Sequence, residues 1–220
     1  MAFTDELREV AAPIWDATME HPMVRGIGDG TLDEEPFREW VRQDYVYLIE
    51  YGRVFALGAA HAPDLDRMGR FATLLHETLD IEMDLHRAYA AEFGISEAEL
   101  EATEPNPTTR AYTDFLVRAG YEGFEETVAA LLPCMWGFNE TGIRLAESGL
   151  PDHERYAEWI ETYSSEEFTE LTAWCRELMD DVAADAPAAD RERYRELFLT
   201  SSRYEYMFWD AAHRREGWPV

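Results

Sequence analysis

One cysteine of this chain lies in an apolar stretch, LLPCMWGF, which spans residues 131–138. Pro133 directly precedes Cys134, and a proline inside a helix frees the carbonyl four residues earlier and bends the helix. A thiolate there could act as a nucleophile, yet buried cysteines are common and usually inert. The stretch alone favours a core thiol, so any chemistry depends on residues elsewhere in the chain.

The neighbours of the two cysteines differ. Phe138 and Thr141 follow Cys134 by four and seven residues, so all three share one helix face. In isolation this spacing favours a core thiol beside a core aromatic ring. Cys175 lies in the sequence WCRE, next to charged residues and without a proline. We interpret Cys175 as structural.

A carboxylate lies on a mostly apolar helix face in the sequence QDYVY. Asp44 and Tyr47 are three residues apart and therefore share that face. A carboxylate in such surroundings needs a partner or a purpose. Two interpretations stay open, a ligand-binding Asp44 and a half-buried Asp44 that pairs with an arginine such as Arg42 or Arg53.

A second carboxylate, Glu205, stands beside Tyr206 and the apolar residues 207–209. An aromatic pocket raises the pKa of a carboxylic acid and allows it to act as a general acid near neutral pH. The alternative is an exposed glutamate on an amphipathic helix. Tyr112 and Tyr163 could each offer a phenol to a pocket, although a single tyrosine is more often a core residue.

The histidines offer a competing interpretation, a metal site. Four metal-binding side chains fall along one predicted helix: His76, Glu77, Glu82 and His86. Di-iron helical bundles use the Glu-x-x-His pair twice, with two further glutamates. This chain has Asp210-x-x-His213 once and no Glu-x-x-His. A helical di-iron oxidase therefore remains only as the alternative enzyme class.

The composition is strongly acidic, with 46 acidic and 19 basic residues and a formal net charge of −27. All basic residues are arginine, and their scarcity excludes a nucleic-acid-binding footprint. Hydrophobic residues make up 46% of the chain, which excludes a disordered protein. We therefore expect a folded protein with a solvated acidic surface, made for a cell interior rich in salt.

Two features indicate where the protein works. The acidic sequence Thr4-Asp5-Glu6 follows the first residues, so we expect no signal peptide. The longest charge-free apolar run, at about 128–138, is too short to cross a membrane. We expect a soluble cytoplasmic protein with reduced thiols and no membrane partner.

The hydrophobic period is helical throughout, which predicts an all-α helical bundle with one domain over residues 1–220. A first helix begins behind Thr4, and Asp29-Gly30 breaks the chain. Thr31 or Asp33 caps the next helix. Ser96 begins a short helix with a capping box, and Gly120 ends the helix predicted at 109–119. The helix that Thr31 or Asp33 caps ends at about residue 60. The other predicted helices span residues 65–93, 109–119, 123–147, 153–164, 166–184 and 189–214.

Together these residues resemble the TenA family of thiaminase II, or aminopyrimidine aminohydrolases, with the acidity of a haloarchaeal member. The resemblance rests on FREWVRQDYVY at 37–47, RVFAL at 53–57, LPCMW at 132–136, Tyr163, and YEYMFW at 204–209. These stretches cover nearly the whole chain in the family's order. The Gln-Asp-Tyr and Pro-Cys-x-Trp elements are specific in combination.

The resemblance implies a haem oxygenase-like fold without haem or other cofactor, assembled as a homotetramer. It implies hydrolysis of 4-amino-5-aminomethyl-2-methylpyrimidine, and of thiamin, to the hydroxymethylpyrimidine in thiamin salvage. The family's historical name also suggests a non-catalytic pyrimidine-binding regulator, against which the lack of a basic surface argues.

Residue roles follow from the same resemblance. It makes Cys134 the nucleophile, Glu205 the acid and base, and Asp44 the partner of the aminopyrimidine edge. Tyr47 would stack on the ring, and Tyr112 and Tyr163 would line its polar side. The family commonly has a tyrosine four residues after the cysteine. Here Phe138 takes that substrate-binding position, keeps the aromatic surface and lacks the hydroxyl.

Overall fold

The computed structural model of the chain describes residues 2–220, with the side chains of all of these except Ile81, Glu82 and Leu85. The described residues form α-helices joined by short loops, as the sequence predicted. In chain order the helices are α1 (Phe3–Glu20), α2 (Pro22–Asp29), α3 (Glu34–His61), α4 (Leu65–Glu77), α5 (Met83–Glu92), α6 (Glu97–Glu101), α7 (Pro107–Glu122), α8 (Phe124–Glu147), α9 (Glu154–Tyr163), α10 (Glu166–Ala184) and α11 (Ala188–Arg214).

Side-chain caps explain where several helices begin. Ser96 and Glu99 form the predicted capping box at the start of α6. Asn106 accepts a hydrogen bond from the backbone of Thr109 at the start of α7, at 2.8 Å. Each cap satisfies an amide that has no partner within its helix.

The structure corrects two predicted boundaries. The helix predicted to stop at Gly120 continues to Glu122, so Gly120 lies inside α7. A Cβ atom on Gly120 would lie 2.8 Å from Leu57 Cδ1, so this glycine permits α7 to approach α3 closely. The helix predicted at 65–93 is interrupted by a five-residue π-helical segment, Thr78–Glu82, between α4 and α5.

The chain divides into two units, each described by itself. Unit 1 consists of Met1–Asp33 and Val128–Asp210. Its core includes Trp15, which packs edge-on against Trp136 with ring centres 5.2 Å apart and stacks on Phe198 at 6.0 Å. The Trp15 indole N–H donates to the Ser202 hydroxyl at 3.1 Å. A side chain of α11 thus provides the hydrogen-bond partner that a buried tryptophan N–H needs.

Unit 2 consists of Glu34–Thr127 and Ala211–Val220. Aromatic side chains pack α3 against α4 and α5 within this unit. Phe37 lies 6.0 Å from Tyr89 of α5, and Phe55 lies 6.1 Å from Phe71 of α4, measured between ring centres. The prediction that the whole chain is one domain stays a prediction.

Among residues 2–220, no helix combines the length and the apolar character that crossing a membrane requires.

Candidate functional site

The cysteine helix α8 runs unbroken across Pro133. Close to the backbone bond that the proline removes, the buried Ser201 hydroxyl of α11 donates to the Ala130 carbonyl at 2.7 Å. This bond ties α11 to α8 one turn before Cys134. Both Cys134 and Cys175 are half-buried, so burial does not distinguish the two thiols.

Phe138, one turn after Cys134, belongs to an aromatic cluster in unit 1. Its ring stacks on Trp209 at 5.3 Å and lies 5.0 Å from the Tyr163 ring and 6.0 Å from the Trp159 ring. Asn139 donates to the Tyr163 carbonyl at 2.9 Å and thereby fixes the end of α9 against α8. The structure therefore brings the predicted residues Phe138 and Tyr163 together.

Glu205 is buried, with 8% of its surface exposed, so the alternative of an exposed glutamate is wrong. It lines a pocket of unit 1 whose wall also includes Phe138, Trp209, Thr141 and Pro133. Glu205 therefore shares this pocket with Phe138, whereas Cys134 is not one of the described residues that line it. A carboxyl group in such a place can exchange a proton with a bound ligand.

In unit 2, Asp44 pairs with a histidine. The His86 Nε2 atom lies 2.5 Å from Asp44 Oδ2, and the two side chains are 15% and 9% exposed. The predicted alternative of an arginine partner is wrong, because Arg42 pairs with Glu39 and Arg53 pairs with Glu50.

The two tyrosines predicted in unit 2 also meet. Tyr47 and Tyr112 are buried, and their ring centres are 5.3 Å apart. Gln43 fixes this arrangement, because its amide nitrogen donates to the Glu104 carbonyl at 3.2 Å and its oxygen accepts from the Asn106 amide at 3.0 Å. These bonds hold the start of α7, which carries Tyr112, against α3.

The residues of the metal interpretation have other partners. His76 lies 3.1 Å from Asp80, and His21 lies 3.5 Å from Asp210. Glu82, which that interpretation also used, has its side chain outside the described residues. Among the side chains that the structure describes, no group of three or more His, Cys, Asp or Glu is arranged to hold a metal ion.

Sequence reasoning missed the roles of Gln43 and His86. The sequence places Gln43 beside Asp44, and its bonds join segments about 60 residues apart along the chain. His86 belongs to the residues of the metal interpretation. Its pairing with Asp44 could have been suspected only from a buried carboxylate in search of a partner, since 42 residues separate the two.

Residues 8–215 match the model of the TENA/THI-4/PQQC family. The chain is 46% identical over 222 residues to an aminopyrimidine aminohydrolase of Halalkalibacterium halodurans, and the match covers 99% of this chain and 98% of that protein.

Solved structures give the same result. A TenA homologue from P. horikoshii OT3 superposes with a TM-score of 0.91 at 29% identity, over 97% of this chain and 99% of the other. A domain with a heme oxygenase-like fold from Shewanella denitrificans OS217 superposes with a TM-score of 0.75 at 14% identity, over 96% and 92% of the two chains. The second likeness concerns the fold alone, and it confirms the predicted haem oxygenase-like architecture.

Proposed function

Because the chain belongs to the TENA/THI-4/PQQC family, we propose that it is an aminopyrimidine aminohydrolase of the thiaminase II type. It hydrolyses 4-amino-5-aminomethyl-2-methylpyrimidine, and also thiamin, to the hydroxymethylpyrimidine in thiamin salvage. The observation that carries this proposal is the end-to-end likeness to the Halalkalibacterium halodurans enzyme. The same likeness favours a hydrolase over the di-iron oxidase and the non-catalytic regulator.

The net reaction replaces the amino group of the aminomethylpyrimidine by a hydroxyl group that comes from water. The bond between the exocyclic carbon and the amine nitrogen breaks, a carbon–oxygen bond forms, and ammonia leaves. Water alone displaces such a poor leaving group slowly. Adding the Cys134 thiolate to the pyrimidine ring divides the reaction into two easier steps, because the ring carries the electron pair until the amine departs. Addition of water and loss of the thiolate then restore the aromatic ring and the enzyme.

Glu205 supplies and recovers the proton in this scheme. It protonates a ring nitrogen or the leaving nitrogen, and it later takes a proton back from the attacking water, so the enzyme returns to its starting state. Its burial and its place on the pocket wall with Phe138 support this role. Acid and base catalysis of this kind contributes a factor of about 10² to 10⁴ in rate.

The remaining residues bind the pyrimidine. Asp44 accepts a hydrogen bond from the amino edge of the ring, and Tyr47 stacks on the ring face. Tyr112 and Tyr163 line the polar side, while Phe138 supplies aromatic surface. The contacts of Tyr47 with Tyr112, and of Phe138 with Tyr163, support these assignments within each unit.

The setting of the enzyme is also part of the proposal. We place it in the cytoplasm as a homotetramer that works at high salt, where counterions screen the charge of −27. Light scattering in concentrated KCl tests the tetramer, for which we expect a mass of about four times the chain mass of 25.4 kDa. Melting temperatures measured over a salt series test the second point, and a fully stable protein in salt-free buffer would contradict it.

The experiment on function uses the purified protein in high salt. With the aminomethylpyrimidine as substrate, chromatography measures the pyrimidine product and a second assay measures ammonia. We expect the hydroxymethylpyrimidine and ammonia in equal amounts. Glu205→Gln should lose at least about a hundredfold in kcat, in line with the loss of a general acid. Glu196→Gln, an exposed change on the same helix, is the matched control. Absence of product from both the aminomethylpyrimidine and thiamin would refute the proposal.

A further inference from the structure

The shortest contact of the Asp44 carboxylate is with the His86 ring, Nε2 to Oδ2 at 2.5 Å. A carboxylate in its ionised form can only accept hydrogen bonds, so in this pairing Nε2 of His86 acts as the donor. We propose that His86 is a positioning residue for Asp44. It holds Oδ2 so that Oδ1 accepts from the amino group of the pyrimidine. This inference rests on the proposed function, in which Asp44 binds that edge of the ring.

The pair is sheltered enough to fix an orientation. The side chains of Asp44 and His86 are 9% and 15% exposed, and the Trp40 ring centre lies 6.5 Å from that of His86. A hydrogen bond to a charged group is stronger than one between neutral groups, and low exposure strengthens it further. A carboxylate without this partner would turn about its side-chain bonds and present its oxygens in several directions.

The π-helical segment gives His86 its place. In α4 and at the start of the segment, buried side chains follow one another by three or four residues, at Phe71, Leu74 and Thr78. The next described buried side chain, Met83, follows after five residues, and its amide donates to the Thr78 carbonyl.

This extra residue changes the register of α5. In an unbroken α-helix, the position seven residues after Thr78 would return to the same face. With the insertion, the eighth residue, His86, reaches it. Insertions of this type are frequent at functional sites. The π-helical segment therefore turns the imidazole toward Asp44 on α3.

A second contact holds α5 at this distance from α3. Arg87 donates to the Tyr45 hydroxyl at 3.3 Å, directly beside the Asp44–His86 pair. The Arg87 guanidinium also lies 5.8 Å from the centre of the Tyr45 ring. Two neighbouring residues of α3 thus meet two neighbouring residues of α5, which limits rotation of either helix.

The test compares His86 variants on the aminomethylpyrimidine in high salt. An imidazole Nε2 is replaced in position by the amide nitrogen of glutamine, whereas asparagine is too short to reach. We expect His86→Ala and His86→Asn to raise KM at least about tenfold with kcat within about threefold of wild type, since they remove a hydrogen bond to a charged group. His86→Gln should stay within about threefold in both constants, because it restores the bond.

The matched control is His61→Ala, a change of an exposed histidine at the end of α3 that should leave KM unchanged. Should His86→Ala fail to fold, the comparison of glutamine with asparagine decides. Wild-type KM in His86→Asn, or equal damage in His86→Asn and His86→Gln, would overturn the inference.

Binding separates this inference from the proposed function. Calorimetry of the hydroxymethylpyrimidine gives its Kd without turnover, and we expect the His86→Ala effect to vanish in an Asp44→Ala background. If the wild-type enzyme turns over substrate and the His86 variants keep the wild-type KM and Kd, the positioning role alone is refuted. A protein that binds the pyrimidine, responds to these variants and releases no product would refute the hydrolase alone.

Discussion

Phe138 stacks on Trp209, with ring centres 5.3 Å apart and ring planes 30° apart. The contact fixes the side chain that stands where the family commonly has a tyrosine. Phe138 also lines the pocket that contains Glu205. If the pyrimidine binds there, as proposed, a hydroxyl added to this ring would lie within hydrogen-bond distance of it.

Phe138→Tyr should therefore raise kcat/KM for the aminomethylpyrimidine by about three- to tenfold, the value of one added hydrogen bond. Phe138→Leu is the paired change, since it keeps the apolar character and loses the stack. It should lower kcat/KM, and unchanged kinetics in both variants would show that the ring does not contact substrate. Steady-state rates measure both.

The bond between Ser201 and the Ala130 carbonyl stabilises the helix next to Pro133. Ser201→Ala should lower the free energy of unfolding by about 1–2 kcal/mol, because the donor is buried and the carbonyl lies beside a missing backbone bond. Chemical denaturation measures this. Ser148→Ala removes an exposed hydroxyl-to-carbonyl bond at 3.1 Å and should change stability by less than about 0.5 kcal/mol. Equal effects of the two changes would contradict the account.

Gln43 is buried and joins α3 to the start of α7 through both ends of its amide. Gln43→Leu keeps the bulk and leaves the Asn106 amide and the Glu104 carbonyl without this partner. We expect a loss of about 2–4 kcal/mol in the free energy of unfolding. Arg42→Ala, which removes a neighbouring ion pair at 3.8 Å, should cost less than about 1 kcal/mol. A small effect of Gln43→Leu would mean that the loop finds other partners.

The Glu39 carboxyl should make the free energy of unfolding depend on pH. Burial raises the pKa of the Glu39 carboxyl above its ordinary value of 4.5, although the Gln43 hydrogen bond and the charges of Arg42 and Arg215 oppose the shift. The folded state then holds the proton more tightly than the unfolded state, so ionisation of Glu39 costs stability as pH rises through the folded pKa.

Glu39→Gln removes this cost and should make the variant more stable than wild type at pH 7. The difference should close as the pH falls below 4.5, where the carboxyl is protonated in both states. Denaturation at several pH values tests this. Glu35→Gln, an exposed change on the same helix, should have little effect at pH 7. A Glu39→Gln variant that is less stable than wild type at pH 7 would contradict the predicted sign.

The predictable part of the fold was the part controlled by local signals. Ser96 and Glu99 mark the start of a helix by their spacing alone, and the structure has that capping box. Gly120 does not end its own helix as predicted. It lies inside that helix and, having no side chain, leaves room for Leu57 of another helix. The π-helical segment at Thr78–Glu82 contains no proline or glycine that would mark an interruption of the helix.

The candidate site shows the same division. The family resemblance names Asp44 and Glu205, and both are buried. The partner of Asp44 could not be read from spacing, because His86 comes from a helix 42 residues away and depends on the register of α5. An arginine partner is one of the two interpretations that the sequence leaves open, and the two arginines considered, Arg42 and Arg53, pair instead with Glu39 and Glu50.

In the proposed mechanism Cys134 performs the hydrolysis. The chain offers a matched control, because Cys175 is half-buried like Cys134, lies on α10 and has no role in that mechanism. Both alanine variants should fold with circular dichroism spectra like that of wild type.

The decisive measurement is the rate of hydroxymethylpyrimidine release from the aminomethylpyrimidine by these two variants in high salt. We expect Cys134→Ala to lose at least about a thousandfold in kcat, because covalent catalysis is removed, while Cys175→Ala stays within about twofold of wild type. A folded Cys134→Ala enzyme that releases product at the wild-type rate would contradict it.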